Sequence, residues 1–289
     1  MMVTASTNQS SYLQSGYINA SDIIPPRLPG LSRSYIACQA PTKDSKDDMW
    51  QMIWEQHCEL IVFLTPYYEN SRGTCTQKSE PYWPLYRERN DPTTAFLSPA
   101  VTRTKQNNIV QYKEPEHGAT AIYGNIIVKV EKIDKIENEI IIRHLAIYKF
   151  IQSQTPGEKP TCNKRVVRIC HYLAWPDHGL PKLESFFNTL SVYRVLRKSV
   201  RFEQSPVVVH CSAGIGRTGT FIAVDMMLDY IAEMQRVGQS PDTRKVADIM
   251  AHMRSCRSGM VKTAHQYAFI YHFLQYAYGN PLRHRVGLQ

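Results

Sequence analysis

The stretch Pro206–Thr220, PVVVHCSAGIGRTGT, brings three local signals together in one short run. Pro206–His210 is apolar up to its histidine and predicts a short strand buried on both faces of a sheet. Ser212, Ala213, Gly214, Ile215 and Gly216 predict a tight loop, because small residues and two glycines permit a curvature that turns successive N–H groups inward. A helix is predicted over Gly216–Arg236. Converging N–H groups at a helix N-terminus make an anion site suited to phosphate. Arg217 adds a planar fork able to grip two phosphate oxygens. The same positive field favours the thiolate of Cys211, which makes it the candidate nucleophile. The Thr218 hydroxyl falls within reach of that sulfur, and His210 is placed to orient the loop from behind.

Spacing alone does not single out Cys211, because C-x5-R occurs a second time, from Cys162 to Arg168. The intervening NKRVV has no glycine and leads into a strand rather than a helix. Cys162 is therefore expected to be structural or incidental.

Outward from this run, Asp47–His57 places Met49, Trp50, Ile53 and Trp54 on one face and predicts a helix leading into a strand over Glu59–Thr65. Ala121–Val130, Glu139–Tyr148 and Arg165–Ala174 are rich in β-branched and aromatic residues and predict three strands. The Pro- and Gly-containing break Ser153–Asn163 predicts a hairpin turn between the last two. Helices are predicted over Leu183–Lys198, Asp242–Cys256 and Thr263–Tyr278. Segment 66–110 is polar and turn-rich and carries no clear period. No composition shift marks a boundary. The fold class expected is α/β: one domain over 17–280 with a highly twisted mixed β-sheet flanked by α-helices. Residues 1–16 are expected to be a flexible segment and 281–289 a tail.

The formal net charge of +9, from 34 Lys+Arg against 25 Asp+Glu, favours anionic partners. No block of consecutive Lys/Arg forms a nucleic-acid arm, so nucleic acid is not the expected partner. Seven cysteines without a C-x-x-C pair argue against a zinc site or a disulfide framework. Reduced thiols in a cytoplasmic compartment are the expected state, with no metal and no cofactor. Met1–Gly16 lacks the apolar core of a signal peptide, and apolar runs such as Leu60–Leu64 are too short to span a bilayer.

Trp175–Pro176–Asp177–His178–Gly179 lies between a predicted strand and a predicted helix, so Asp177 sits on a loop at a strand's end. Gly179 and Pro181 are candidate boundaries of a moving lid. An N-cap role is the alternative for Asp177.

HCSAGIGRTG at 210–219 resembles the signature loop of the tyrosine-specific protein tyrosine phosphatases, and its GIGRTG half resembles that branch rather than the dual-specificity one. WPD followed by x-G-x-P resembles the family's mobile acid loop. YINAS at 17–21, QAP at 39–41 (Ala40 standing for a glycine), MWQMIWE at 49–55 and YWP at 82–84 resemble further family segments expected to serve packing. The resemblance implies that Cys211 attacks phosphorus and that Arg217 holds the phosphate. It implies that Asp177, on the loop led by Trp175, protonates the leaving tyrosine oxygen, whose pKa near neutrality is unhelpful at about 10. It also implies that Glu69 pairs with the clamping arginine and that tyrosine-phosphorylated proteins are the partners.

RSCRSGMVKTAHQYA at 254–268 resembles the family's last motif, with Lys262 where the family has a water-positioning glutamine and with Gln266 retained. A lysine is cationic and offers no acceptor to that water. The family's K-N-R-Y segment, upstream of YINAS, has no counterpart here. The compact, divergent sequence resembles virus-encoded members of the family. Three functions follow in order: a phosphotyrosine hydrolase active in signalling, a phosphotyrosine-binding protein with weak or no turnover, and a phosphatase for RNA 5′-phosphate or lipid. The +9 charge tolerates the third, and the tyrosine-branch motifs oppose it.

Overall fold

The computed structural model describes residues 2–4, 17–71, 74–85, 101–103, 110–112, 117–151, 161–176, 179–201 and 204–289. In chain order the strands are β1 (Met2–Thr4), β2 (Tyr17–Ile23), β3 (Tyr35–Cys38), β4 (Leu60–Phe63), β5 (Tyr68–Ser71), β6 (Thr74–Gln77), β7 (Val101–Arg103), β8 (Val110–Tyr112), β9 (Thr120–Tyr123), β10 (Ile126–Ile136), β11 (Ile140–Ile151), β12 (Thr161–Tyr172) and β13 (Val207–His210). The helices are α1 (Lys46–Glu55), α2 (Leu183–Lys198), α3 (Gly216–Arg236), α4 (Lys245–Cys256) and α5 (Ala264–Gly279).

Among the described residues one mixed sheet runs β1-β2-β3-β13-β4-β12-β11-β10-β9. Its centre is parallel: β13 pairs with β3 and β4, and β4 with β12. The β13 run is apolar because both sheet faces are covered. Val207 and Val209 enter the core built with α2, α3, α4 and α5, while Val208 enters the second core built around α1. Alternation of period two sends successive side chains into opposite layers. The loop after β13 therefore emerges at the carboxyl end of a central parallel strand, where ligands of α/β proteins collect.

The α/β class and the mixed sheet agree with expectation. The region 121–130 does not form one strand. Tyr123 pairs with Ile126 across a two-residue turn with Gly124 in its first position at φ 58°. A continuous β-rich composition concealed a Gly-Asn turn, which glycine's tolerance of positive φ makes possible. The predicted last-but-one helix begins at Lys245 rather than Asp242. β11 and β12 form the expected antiparallel pair, but the turn expected at 153–163 lies mostly outside the described residues. Cys162 is an exposed residue near the start of β12, opposite Phe150, and the residues that follow it to Arg168 continue the strand. Of the segment expected to be flexible, Met2–Thr4 pairs along β2, and 5–16 lie outside the described residues. The segment expected as a tail buries Val286 and Leu288 in the core.

Candidate active site

The loop from Cys211 to Gly216 is held by its carbonyls. The oxygen of Ser212 accepts from the Ala40 N–H at 2.8 Å, and that of Ile215 from the Val261 N–H at 3.1 Å. Arg257 donates through Nη2 to Ala213 O at 3.2 Å and through Nε to Gly214 O at 2.9 Å. The Thr220 hydroxyl donates to Gly216 O at 3.0 Å. With the carbonyls drawn outward, the N–H groups of Ser212, Ala213, Gly214 and Ile215 face the other way, and among the described residues none donates to another backbone carbonyl. Such a ring of unpaired donors at the start of α3 is an anion cradle. Gly214 is required at its place, with φ 71° and a backbone so close that an added Cβ would lie 2.0 Å from the Cys38 oxygen.

Cys211 is buried yet lines a cavity of about 440 Å³ together with Arg217, Glu69, Lys78, Lys262 and Gln266. Other thiols in the core are suppressed: burial pushes Cys38 and Cys170 up to about 12. Just before Cys211, His210 is fully buried. Its Nδ1 lies 3.3 Å from Cys211 O and must donate there, since a carbonyl only accepts. Nε2 then accepts from the Tyr82 hydroxyl at 2.7 Å. Burial holds His210 down to about 4, against a weaker upward pull from its bond to Cys211 O, so the ring stays neutral at physiological pH. Thr218 is also buried, but its hydroxyl has no hydrogen-bond partner among the described residues.

Arg217 is fixed on three sides. Nη1 donates to the Thr65 hydroxyl at 2.6 Å and also meets Glu69 Oε1, while Nη2 donates to Pro176 O at 3.0 Å. Thr65 in turn donates to Glu69 Oε1 at 2.9 Å, and Lys78 Nζ lies 3.5 Å from Glu69 Oε2. The Glu69–Arg217 pairing implied by resemblance is thus present. Trp175 is buried edge-on against Phe186, with centroids 5.5 Å apart, and its Nε1 donates to Gly179 O at 3.1 Å. That bond ties the two ends of the Trp175–Gly179 loop together. Asp177 lies outside the described residues.

On the opposite wall, Gln266 closes a capping box at the start of α5 with Thr263. Its Oε1 accepts from the N–H of Lys262 at 3.0 Å, and its amide sits against Gly216, 3.0 Å from where a Cβ would be. Lys262 is exposed and lines the cavity beside it. Val261 holds φ 57°, an outlier for a β-branched residue, between the Ile215 oxygen and Arg254, whose Nη2 donates to Val261 O at 2.8 Å.

Sequence reasoning missed Arg257, Thr65 and Lys78 as parts of the site. It also assigned YINAS and YWP to packing. Tyr82 and Trp83 are indeed buried, but the Tyr82 hydroxyl supports His210, and Asn19 and Ser21 of YINAS accept from Arg257 at 2.9 and 3.2 Å. An arginine in a block with so many family matches was the available signal for Arg257.

The family model described as protein-tyrosine phosphatase matches residues 2–106 and 95–276. The chain is 31% identical over 270 residues to tyrosine-protein phosphatase 3 of Dictyostelium discoideum, covering 92% of this chain and 22% of that protein. It is 32% identical over 262 residues to the human receptor-type tyrosine-protein phosphatase zeta, covering 88% and 9%, and 33% identical over 273 residues to the mouse receptor-type tyrosine-protein phosphatase epsilon, covering 92% and 30%. It spans less than a third of the length of these relatives. On the strength of a match running through nearly the whole fold, the Cys211–Gly216 loop included, this chain belongs to the protein-tyrosine phosphatase family.

Proposed function

We propose that this chain hydrolyses phosphotyrosine in proteins through a cysteinyl-phosphate on Cys211. The observation that carries this is the loop whose carbonyls are all tied outward beside an arginine fixed on three sides. Phosphate oxygens replace water on the inward N–H groups, and the Arg217 guanidinium completes the shell from its Nε and Nη2 side. The Cys211 thiolate attacks phosphorus, the bond to the tyrosine oxygen breaks, and Asp177 gives that oxygen a proton. Asp177, now a carboxylate, takes a proton from water as it attacks the phosphocysteine, releasing inorganic phosphate and restoring the thiolate. Arg217 holds the carbonyl of Pro176, the residue next to Asp177 in sequence. Tyrosine-phosphorylated proteins are the partners. Seven free thiols fit a reducing, cytoplasmic setting, and no described helix is long and apolar enough to cross a membrane.

The test is phosphate release from a phosphotyrosine peptide, with Cys211→Ser as control and phosphoserine peptide and RNA 5′-phosphate in parallel. Release no greater than the control, with the peptide bound by both forms, would overturn hydrolysis.

One observation favours a second function, phosphotyrosine capture with slow turnover. Lys262 lines the cavity where an acceptor for the hydrolytic water is wanted. A fast first turnover followed by a slow steady state, relieved by Lys262→Gln, would support it; a steady state unchanged by Lys262→Gln would dismiss it.

A further inference from the structure

Behind the phosphate clamp lies a buried pair that the mechanism above does not use. Arg143 on β11 and His171 on β12 are both fully buried, with His171 in register beside Phe63 at the end of β4. His171 Nε2 lies 2.8 Å from Thr65 O, and Nδ1 lies 3.1 Å from Arg143 Nη1. A carbonyl only accepts and a guanidinium only donates. The ring is therefore locked as the neutral Nε2–H tautomer, donating to Thr65 and accepting from Arg143. Burial first, and the Arg143 charge second, hold it well below an ordinary imidazole. Arg143 is itself stacked over Trp83, 4.1 Å from the ring centroid.

Thr65 is the residue whose hydroxyl bonds both Arg217 and Glu69. The His171 ring also stacks on Phe63 at 3.9 Å and 11°, and the far side of Phe63 stacks on His210 at 4.4 Å and 21°. One phenyl ring thus lies between the histidine that holds the clamp's threonine and the histidine that holds the nucleophile's carbonyl. We propose that His171, braced by Arg143, is a positioning residue: through Thr65 it sets the Arg217 fork over the cradle, and through Phe63 it keeps that fork in register with the Cys211 loop. A buried cation and a buried imidazole are costly unless fully paired, and a purely apolar core would need neither.

This inference deepens the phosphatase function, so its readout is oxyanion affinity as well as turnover. Vanadate and inorganic phosphate inhibition constants, and kcat, are measured for His171→Gln and His171→Asn, both normalised to folded protein. A glutamine amide reaches the Nε2 position and keeps the Thr65 bond. An asparagine reaches only the Nδ1 position and loses it. The expected result is vanadate affinity within about 3-fold of wild type for His171→Gln and weakened roughly 10-fold or more for His171→Asn, since misplaced donors lose their advantage steeply. Equal affinities in both variants would overturn the proposal, because a merely structural histidine moves only the folded fraction. Should neither variant fold, nitrogen NMR of histidine in the wild-type protein decides. The Nε2–H tautomer of His171, shifting on vanadate binding, supports the relay; the Nδ1–H tautomer or an unmoved signal overturns it. Vanadate binding without phosphotyrosine turnover would defeat the proposed activity while leaving this test intact.

Discussion

Arg217 Nη2 donates to the carbonyl of Pro176 at 3.0 Å, so a residue in the first turn of α3 also holds the loop on which Asp177 is carried. One guanidinium thereby joins the start of α3, the Thr65–Glu69 pair and the loop after Trp175.

Arg217→Lys keeps a positive charge but loses the fork. It cannot serve Thr65, Glu69 and Pro176 at once. Loss of one well-placed oxyanion donor lowers turnover by roughly 10²- to 10³-fold, and kcat/KM on a phosphotyrosine peptide is expected to fall at least that far. A fall of only a few-fold would show that charge alone suffices.

Glu69→Gln leaves the Thr65 bond possible but removes the charge facing Arg217 and Lys78, in a side chain only 5% exposed. Breaking a buried ion pair from one side costs about 3 kcal/mol, visible as a lower melting temperature. An unchanged melting temperature would mean that Lys78 and Arg217 find water instead.

Gly214→Ala forces φ 71° on a residue with a Cβ and drives that atom to 2.0 Å from the Cys38 oxygen. Both partners are backbone and cannot step aside. The conformation alone costs about 1 to 3 kcal/mol. Loss of phosphate binding by calorimetry is expected together with a lowered melting temperature, because β3 and the loop must separate.

Acid should destabilise the fold well above the carboxylate range. The folded His210 pKa, about 4, lies below the unfolded value of 6.5. Between those values the unfolded chain binds a proton that the native one does not, so stability falls as pH drops from 6.5 and levels off below about 4. The shift corresponds to about 3 kcal/mol. His171, depressed by burial in the same direction, adds to the slope. Asp225 acts lower down. Burial pushes its carboxyl up, but Arg197, Arg194 and the Tyr193 and Tyr35 hydroxyls outweigh that and hold it at about 2. Its contribution is present above the unfolded value of 3.8 and disappears as pH falls toward 2. Chemical denaturation between pH 7 and 4 checks the first window, where His210→Gln should flatten the slope.

Much of the site was legible because its chemistry is contiguous. Cys211, the glycine loop and Arg217 occupy one strand–loop–helix run, and each residue type answers a local need. The helices α2, α3 and α5 lie where the sequence predicts them. The β9–β10 hairpin was missed because a Gly-Asn turn inside β-branched residues breaks no pattern. Thr65 was missed because it bears no local signature, and Arg257, although it sits in a matched motif, because its importance lies in the groups it meets.

The sequence by itself determined the strand–loop–helix run that carries Cys211, the glycine loop and Arg217, since small residues, glycine's positive φ and a helix N-terminus act over a few bonds. Only the tertiary structure decided what holds them. Arg217 and Thr65 are 152 positions apart, and Arg257 reaches Asn19 across 238. Those meetings are set by the register of β3, β13 and β4 and by where the α4–α5 connection falls. No periodicity encodes them, because a hydrogen bond between distant segments exists only once the sheet has fixed both ends.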